Sequence, residues 1–222
     1  MNRHMKKHQS GFTLIEIAIV MVIIGLLLGG VLKGQEMINS AKVRSLNNKM
    51  DGITAAWFAF QDRYRAIPGD MINANTQIAG VTAAQVGDSG GTVNSNAERG
   101  FAWVHLSAAG FLSGSYNGAA AVSNFNCPIV TCPNNGFGQG MLLTFDNMAT
   151  ANAGQNAAEL LTGDQIPVGI VAELDRKIDD GLTNSGSIRA ATAGGAQAAC
   201  VAAPNYDVAA QNTDCGLAAR VL

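Results

Sequence analysis

Between Phe12 and Leu32 the chain carries a single formally charged side chain, Glu16, and is otherwise built almost entirely from Ile, Val, Leu, Met, Ala and Gly. About 20 such residues cross a ~30 Å hydrocarbon core as a helix, so this run is long and apolar enough to span a membrane. The preceding residues 1–10 contain Arg3, His4, Lys6, Lys7 and His8 and no apolar core. They therefore cannot supply the hydrophobic part of an ordinary secretory signal. A carboxylate inside a span costs roughly 2.5–3.5 kcal/mol on insertion scales, so Glu16 needs either water near the head groups or a partner. Its position, four residues into the run, leaves both readings open.

The stretch Gly11-Phe12-Thr13-Leu14-Ile15-Glu16, with a short basic leader before it and the apolar run after it, resembles the N-terminus of type IV prepilins and type II secretion pseudopilins. That resemblance implies a cut between Gly11 and Phe12 by a prepilin peptidase and N-methylation of the new terminal Phe12. It also implies that Glu16 meets the N-terminal ammonium of a neighbouring subunit during filament assembly. Such a pair is physically reasonable, because two charges deprived of water offset part of each other's desolvation cost. For Thr13 the simplest role is a hydroxyl bonded to its own helix backbone. The implied partners are other pilin subunits, the peptidase, the pilus or secretion assembly machinery and the inner membrane.

The basic leader predicts a cytoplasmic N-terminus, with the remainder beyond the membrane. The resemblance further implies a precursor in the inner membrane and an assembled form in a periplasmic or extracellular filament. Formal net charge is −2, and loss of Arg3, Lys6 and Lys7 with the leader takes it to −5. An acidic chain of this kind gives no strong nucleic-acid signal, since such binding needs clustered Lys and Arg. All four cysteines, Cys127, Cys132, Cys200 and Cys215, lie beyond the span, where an oxidising compartment would convert them to two bridges. Three pairings are possible. The local pairs Cys127–Cys132 and Cys200–Cys215 are favoured because each lies in its own turn-rich stretch. A zinc site is the alternative, but the short paired spacing it needs is missing.

The helical pattern continues past the span. Val43, Leu46, Met50, Ile53, Trp57, Phe60 and Tyr64 recur in steps of three and four, with polar residues between them, which predicts an amphipathic helix. The stripe reads most simply as the face on which a sheet packs, and alternatively as a coiled-coil seam. A helix from residue 12 to 64 would be roughly 80 Å long at ~1.5 Å per residue. Gly25, Gly29, Gly30 and Gly34 crowd its middle, each costing roughly 1 kcal/mol relative to Ala. They suit close helix contact in lipid. In related filaments this region of the spine can melt, and here melting would begin at Gly29-Gly30.

Ile67-Pro68-Gly69-Asp70 ends the spine, and the Gly-, Asn- and Thr-rich stretch to residue 96 reads as a surface loop. Within it, Gly87-Asp88-Ser89-Gly90-Gly91 imitates a serine-protease nucleophile loop. The imitation fails because the only upstream histidines, His4 and His8, lie in the leader. Residues 98–109 predict a helix with His105 at its surface or hydrogen-bonded, residues 140–145 a strand, and 167–180 a second helix ended by Gly181. Short β-prone pieces at 187–192, 199–203 and 217–222 would complete an antiparallel sheet. Asp179 and Asp180 stand at a helix C-terminus, where the dipole disfavours anions. Asp175, Asp179 and Asp180 are therefore calcium candidates, as the resemblance to secretion pseudopilins also implies. The alternatives are a solvated helix end or pairing with Arg176 or Arg189. The spacing is not that of an EF-hand.

These readings predict an α+β, pilin-like fold: a leader (1–11), a spine helix (12–64, with 12–32 transmembrane) and a globular ectodomain (65–222) with a small antiparallel sheet and disulfide staples. The expected role is a structural, non-enzymatic filament subunit serving adhesion, motility, DNA uptake or secretion. A type II secretion pseudopilin is the alternative, and a membrane-anchored periplasmic enzyme or binding protein is a remote one.

Overall fold

The computed structural model describes residues 13–119, 127–146, 156–191 and 197–221. Helix α1, Leu14–Tyr64, is one continuous element of 51 residues. The chain divides into two compact units, Met1–Ala41 and Lys42–Leu222. In the first, the described residues form only the N-terminal part of α1. Its apolar side chains are exposed, and its most apolar window has a mean hydropathy of 2.7 with none of it buried. A helix so exposed and so apolar has the length and composition to cross a membrane.

In the second unit the predicted stripe of α1 becomes the core. Val43, Leu46, Met50, Ile53, Ala56, Trp57 and Phe60 are buried in one cluster with residues of the sheet and the later helices. The stripe thus serves as a packing face and not as a coiled-coil seam. Past Tyr64 the chain turns sharply, and Gly69 adopts φ +94°. A Cβ there would strike the Glu98 carbonyl, so glycine is required at this position.

The segment read as a surface loop is half core. A short helix α2, Ala74–Gln77, lies within it, and Met71, Ala74, Ile78, Val81 and Val93 are all buried. Met71, Ala74, Ile78 and Val81 recur in steps of three and four, a helical spacing that the Asn, Thr and Gly residues among them mask. Helix α3, Asn96–Ala108, follows a capping box: Ser95 Oγ accepts from the Glu98 N–H, and Glu98 accepts from the Ser95 N–H.

Strands β1 (Leu142–Asp146), β2 (Ala157–Leu161), β3 (Ile188–Ala190) and β6 (Leu217–Arg220) form an antiparallel sheet in the order β1-β2-β6-β3. One row across it is apolar, Leu143, Leu160, Ala219 and Ile188. The next is polar, Thr144, Glu159 and Arg220. Helix α3 reaches this polar row through Arg99, whose Nε donates to Thr144 Oγ1 at 2.9 Å and whose guanidinium lies 3.5 Å from Asp146. Strand β2 is not among the elements that the sequence predicts. The β-prone piece at 199–203 does not join the sheet; β4 (Val201–Ala202) pairs instead with β5 (Asn205–Tyr206) as a separate hairpin. Helix α4, Val168–Ile178, buries Val171 and Leu174 between these parts.

Candidate functional site

Helix α1 opens with a second capping arrangement. Glu16 Oε2 accepts from both the N–H and the hydroxyl of Thr13 at 2.8 Å, and the Glu16 N–H points back to Thr13 Oγ1 at 3.4 Å. The sequence signal for this is Thr13-x-x-Glu16, a capping-box pattern that the membrane cost of Glu16 does not by itself bring out. Thr13 is therefore more than a hydroxyl bonded to its own backbone: it orients the carboxylate. Both side chains are exposed. The geometry holds a carboxylate against the first turn of the helix, where the backbone dipole favours an anion, and among the described residues no donor reaches Oε1. Gly11 and Phe12 lie outside the described residues.

The cysteines pair as Cys127–Cys132 and Cys200–Cys215. Neither bridge is a surface ornament, since Cys127, Cys132 and Cys215 have no exposure and Cys200 has 2%.

Two acidic groups converge in the globular unit. Asp175, Asp179 and Asp180 bring carboxylate oxygens within 4.8 Å of one another. Asp175 is buried, and burial pushes its pKa up to about 6 against hydrogen bonds from the Tyr206 hydroxyl, at 2.6 Å, and the Gly181 N–H; the neighbouring Asp180 and Asp179 push it up further. Asp179 accepts from the Ser187 and Ile188 N–H groups, and Asp180 from Leu182 N–H and Ser185 Oγ. These donors offset the unfavourable position at the end of α4. Carboxylate oxygens are the right chemistry for calcium, but here an ion would share or displace protein donors.

The second group, Asp70, Asp88 and Glu98, is brought together only by the fold. Asp70 accepts from Gly90 N–H at 2.9 Å and Gly91 N–H at 2.8 Å, so the Gly87–Gly91 loop is wrapped around a buried carboxylate. Burial raises the pKa of Asp70, and the adjacent Asp88 and Glu98 add to the rise. The protease-like loop is thus a structural clasp. His105 is fully buried, not at the surface, because α3 turns it inward. Its Nδ1 accepts from Gly69 N–H at 2.9 Å and its Nε2 donates to Gln85 O at 2.8 Å. With both nitrogens committed to backbone it is not placed as a general base for Ser89.

Residues 6–32 match the prokaryotic N-terminal methylation motif. That motif is the hallmark of the type IV prepilin and pseudopilin family. Members of that family are structural subunits processed by a prepilin peptidase and assembled with one another. The match spans the basic leader and the apolar run and includes Glu16; the globular unit lies beyond it. No curated protein and no solved structure matches the chain.

Proposed function

We propose that this chain is a structural subunit of a type IV pilus or pilus-like filament. In this reading residues 1–11 are a leader removed by the peptidase between Gly11 and Phe12, residues 12–32 anchor the precursor, and residues 65–222 form the ectodomain. The observation that carries the proposal is the Thr13–Glu16 arrangement inside the methylation motif. Once the cut frees the Phe12 amine, each subunit has a cation at the start of α1 and an oriented anion one helical turn further in. Two copies displaced along the filament axis can exchange these charges, which removes two uncompensated ions from lipid at once. Thr13 keeps the carboxylate from wandering to the head groups before that exchange. Two disulfides and a globular unit spanning Lys42–Leu222 favour a pilus subunit over a secretion pseudopilin, a reading that the Asp175, Asp179 and Asp180 cluster keeps open.

Mass spectrometry of the mature protein tests the reading. N-methyl-Phe12 at the terminus and recovery of the chain in filaments sheared from the cell surface are expected. An uncut Met1, or a cut elsewhere, would overturn it, and correct processing without surface filaments would favour the pseudopilin role.

A further inference from the structure

A buried tryptophan carries one N–H into the core, and that donor normally finds an acceptor. Trp57 and Trp103 are 3% and 0% exposed, and neither indole N–H meets an acceptor among the described residues. Trp57 differs in having space beside it. Together with Val93, Thr144, Phe145 and Ala158 it lines a mostly apolar cavity of about 60 Å³. Thr144 is buried too; its Oγ1 accepts from Arg99 Nε, and its hydroxyl hydrogen reaches no acceptor among the described residues. Ile67 and Gly91 are shared with a second, more open chamber of about 300 Å³, which Arg65, Asp70 and Ser89 also line. Asp70 commits its two oxygens to Gly90 and Gly91 N–H, which leaves the rim with the Arg65 guanidinium and the Ser89 hydroxyl. Arg65 is 3.6 Å from Asp62 with both side chains exposed, a weak pair that another anion can replace. Arg65 and Ser89 hold left-handed backbone, at φ +52° and +60°. Arg65 does so just past α1, where glycine is the usual residue, and such strain gathers at ligand clamps.

We propose that this two-chambered crevice binds a small free carboxylate, an amino acid acylated at nitrogen with a branched aliphatic side chain such as that of leucine. At ~10–15 Å³ per atom the inner chamber holds about four to six non-hydrogen atoms, enough for an isobutyl group and one carbonyl. The isobutyl group buries its surface against Val93, Phe145 and Ala158. The carbonyl supplies the acceptor that the Trp57 and Thr144 donors lack. The carboxylate stays in the outer chamber with Arg65 and Ser89, where its hydrogen bonds are charge-assisted. Every lining residue falls within the compact unit Lys42–Leu222, so the site belongs to the single subunit and does not depend on the filament reading.

The test uses the full chain labelled with fluorotryptophan and held in lipid nanodiscs, so that no detergent competes for the crevice. Fluorine NMR gives one resonance for each of the 2 tryptophans, and Trp103→Phe assigns them. N-Acetyl-leucine is expected to move the Trp57 resonance saturably, with a Kd of about 1 mM for a ligand of its size, and to leave Trp103 in place. N-Acetyl-glycine lacks the aliphatic group and N-acetyl-leucine amide lacks the carboxylate; each should bind at least about fivefold more weakly. Arg65→Gln, at the surface, should weaken N-acetyl-leucine by a similar factor and leave the amide unchanged. Ala158→Leu puts the protein's own isobutyl group into the inner chamber, so it should keep the wild-type thermal midpoint and abolish the shift. No saturable shift by about 10 mM N-acetyl-leucine, equal shifts of both resonances, equal affinity for the three compounds, or an undiminished response in a folded Ala158→Leu would each overturn the proposal. Should Ala158→Leu lower the midpoint, Arg65→Gln decides: wild-type affinity for N-acetyl-leucine in that variant would overturn the proposal.

Discussion

Replacing Cys127 and Cys132 together by alanine sets two readings of the short bridge against each other. By loop length alone it should matter little, because a separation of 5 residues restricts the unfolded chain by about 2 kcal/mol, against about 3 kcal/mol for the 15-residue separation of Cys200–Cys215. The structure adds a second contribution. Both cysteines have no exposure, the Cys127 carbonyl accepts from Gly140 N–H at 2.8 Å, and Gly140 leaves room for no Cβ against the bridge. Removing two buried sulfurs from so close a packing adds about 1 kcal/mol. The double variant should therefore lose about 3 kcal/mol, and Cys200→Ala/Cys215→Ala about 4 kcal/mol. Urea unfolding of the full chain in detergent, followed by tryptophan fluorescence from buried Trp57 and Trp103, measures both. A loss of less than about 1 kcal/mol in the Cys127/Cys132 variant would show that the loop is a detachable surface staple and that the packing argument fails.

Glu16→Ala should be cleaved and inserted normally, since it removes a cost of insertion, yet its recovery in sheared filaments should drop about tenfold or more; wild-type recovery would mean a wet carboxylate with no assembly role. Ser95→Ala removes the cap of α3 and should cost about 1 kcal/mol in the same urea assay. Burial holds the pKa of His105 below its ordinary value, against the Gln85 carbonyl, so its contribution is complete above about pH 6.5 and is lost as pH falls through the lowered folded value; His105→Gln should flatten that acid limb of a melting curve. Asp175 has the opposite sign: its folded pKa of about 6 lies above the ordinary 3.8, so stability is greatest below the lower value and falls as pH rises through the upper one. In EDTA, Asp175→Asn should be less sensitive to pH between those limits, and an unchanged slope would refute the assignment.

What could be read from the residues was whatever depended on one strong period or one strong charge. The stripe from Val43 to Phe60 is helical in spacing and is core in fact. Strand β2 is hidden because Ala157-Ala158-Glu159-Leu160-Leu161 has helix-favouring composition, and Glu159 would be placed on a solvent face by any alternation rule. Pairing to β1 and β6 decides its state, which is a tertiary choice. The clasp around Asp70 joins residues about twenty apart through backbone N–H groups, and no side-chain pattern reports such donors. At the N-terminus the expensive carboxylate is plain, but its holder Thr13 is visible only to a search for caps. The same holds for Ser95 and Glu98.

Strand β6 follows every other strand in the chain yet lies between β2 and β3 in the sheet. A polypeptide delivered beyond the membrane in chain order would bring out β1, β2 and the whole of α4 while the place beside β2 remained unfilled. Sheet closure is therefore a late event that waits for residues 217–220 to emerge. Until then β2 and β3 each present a line of unpaired N–H and C=O groups, the surface on which chaperones act and on which stray strands can add. On the proposed reading, cutting and methylation of the N-terminal motif do not have to wait for a finished globular unit, whereas entry into a filament does.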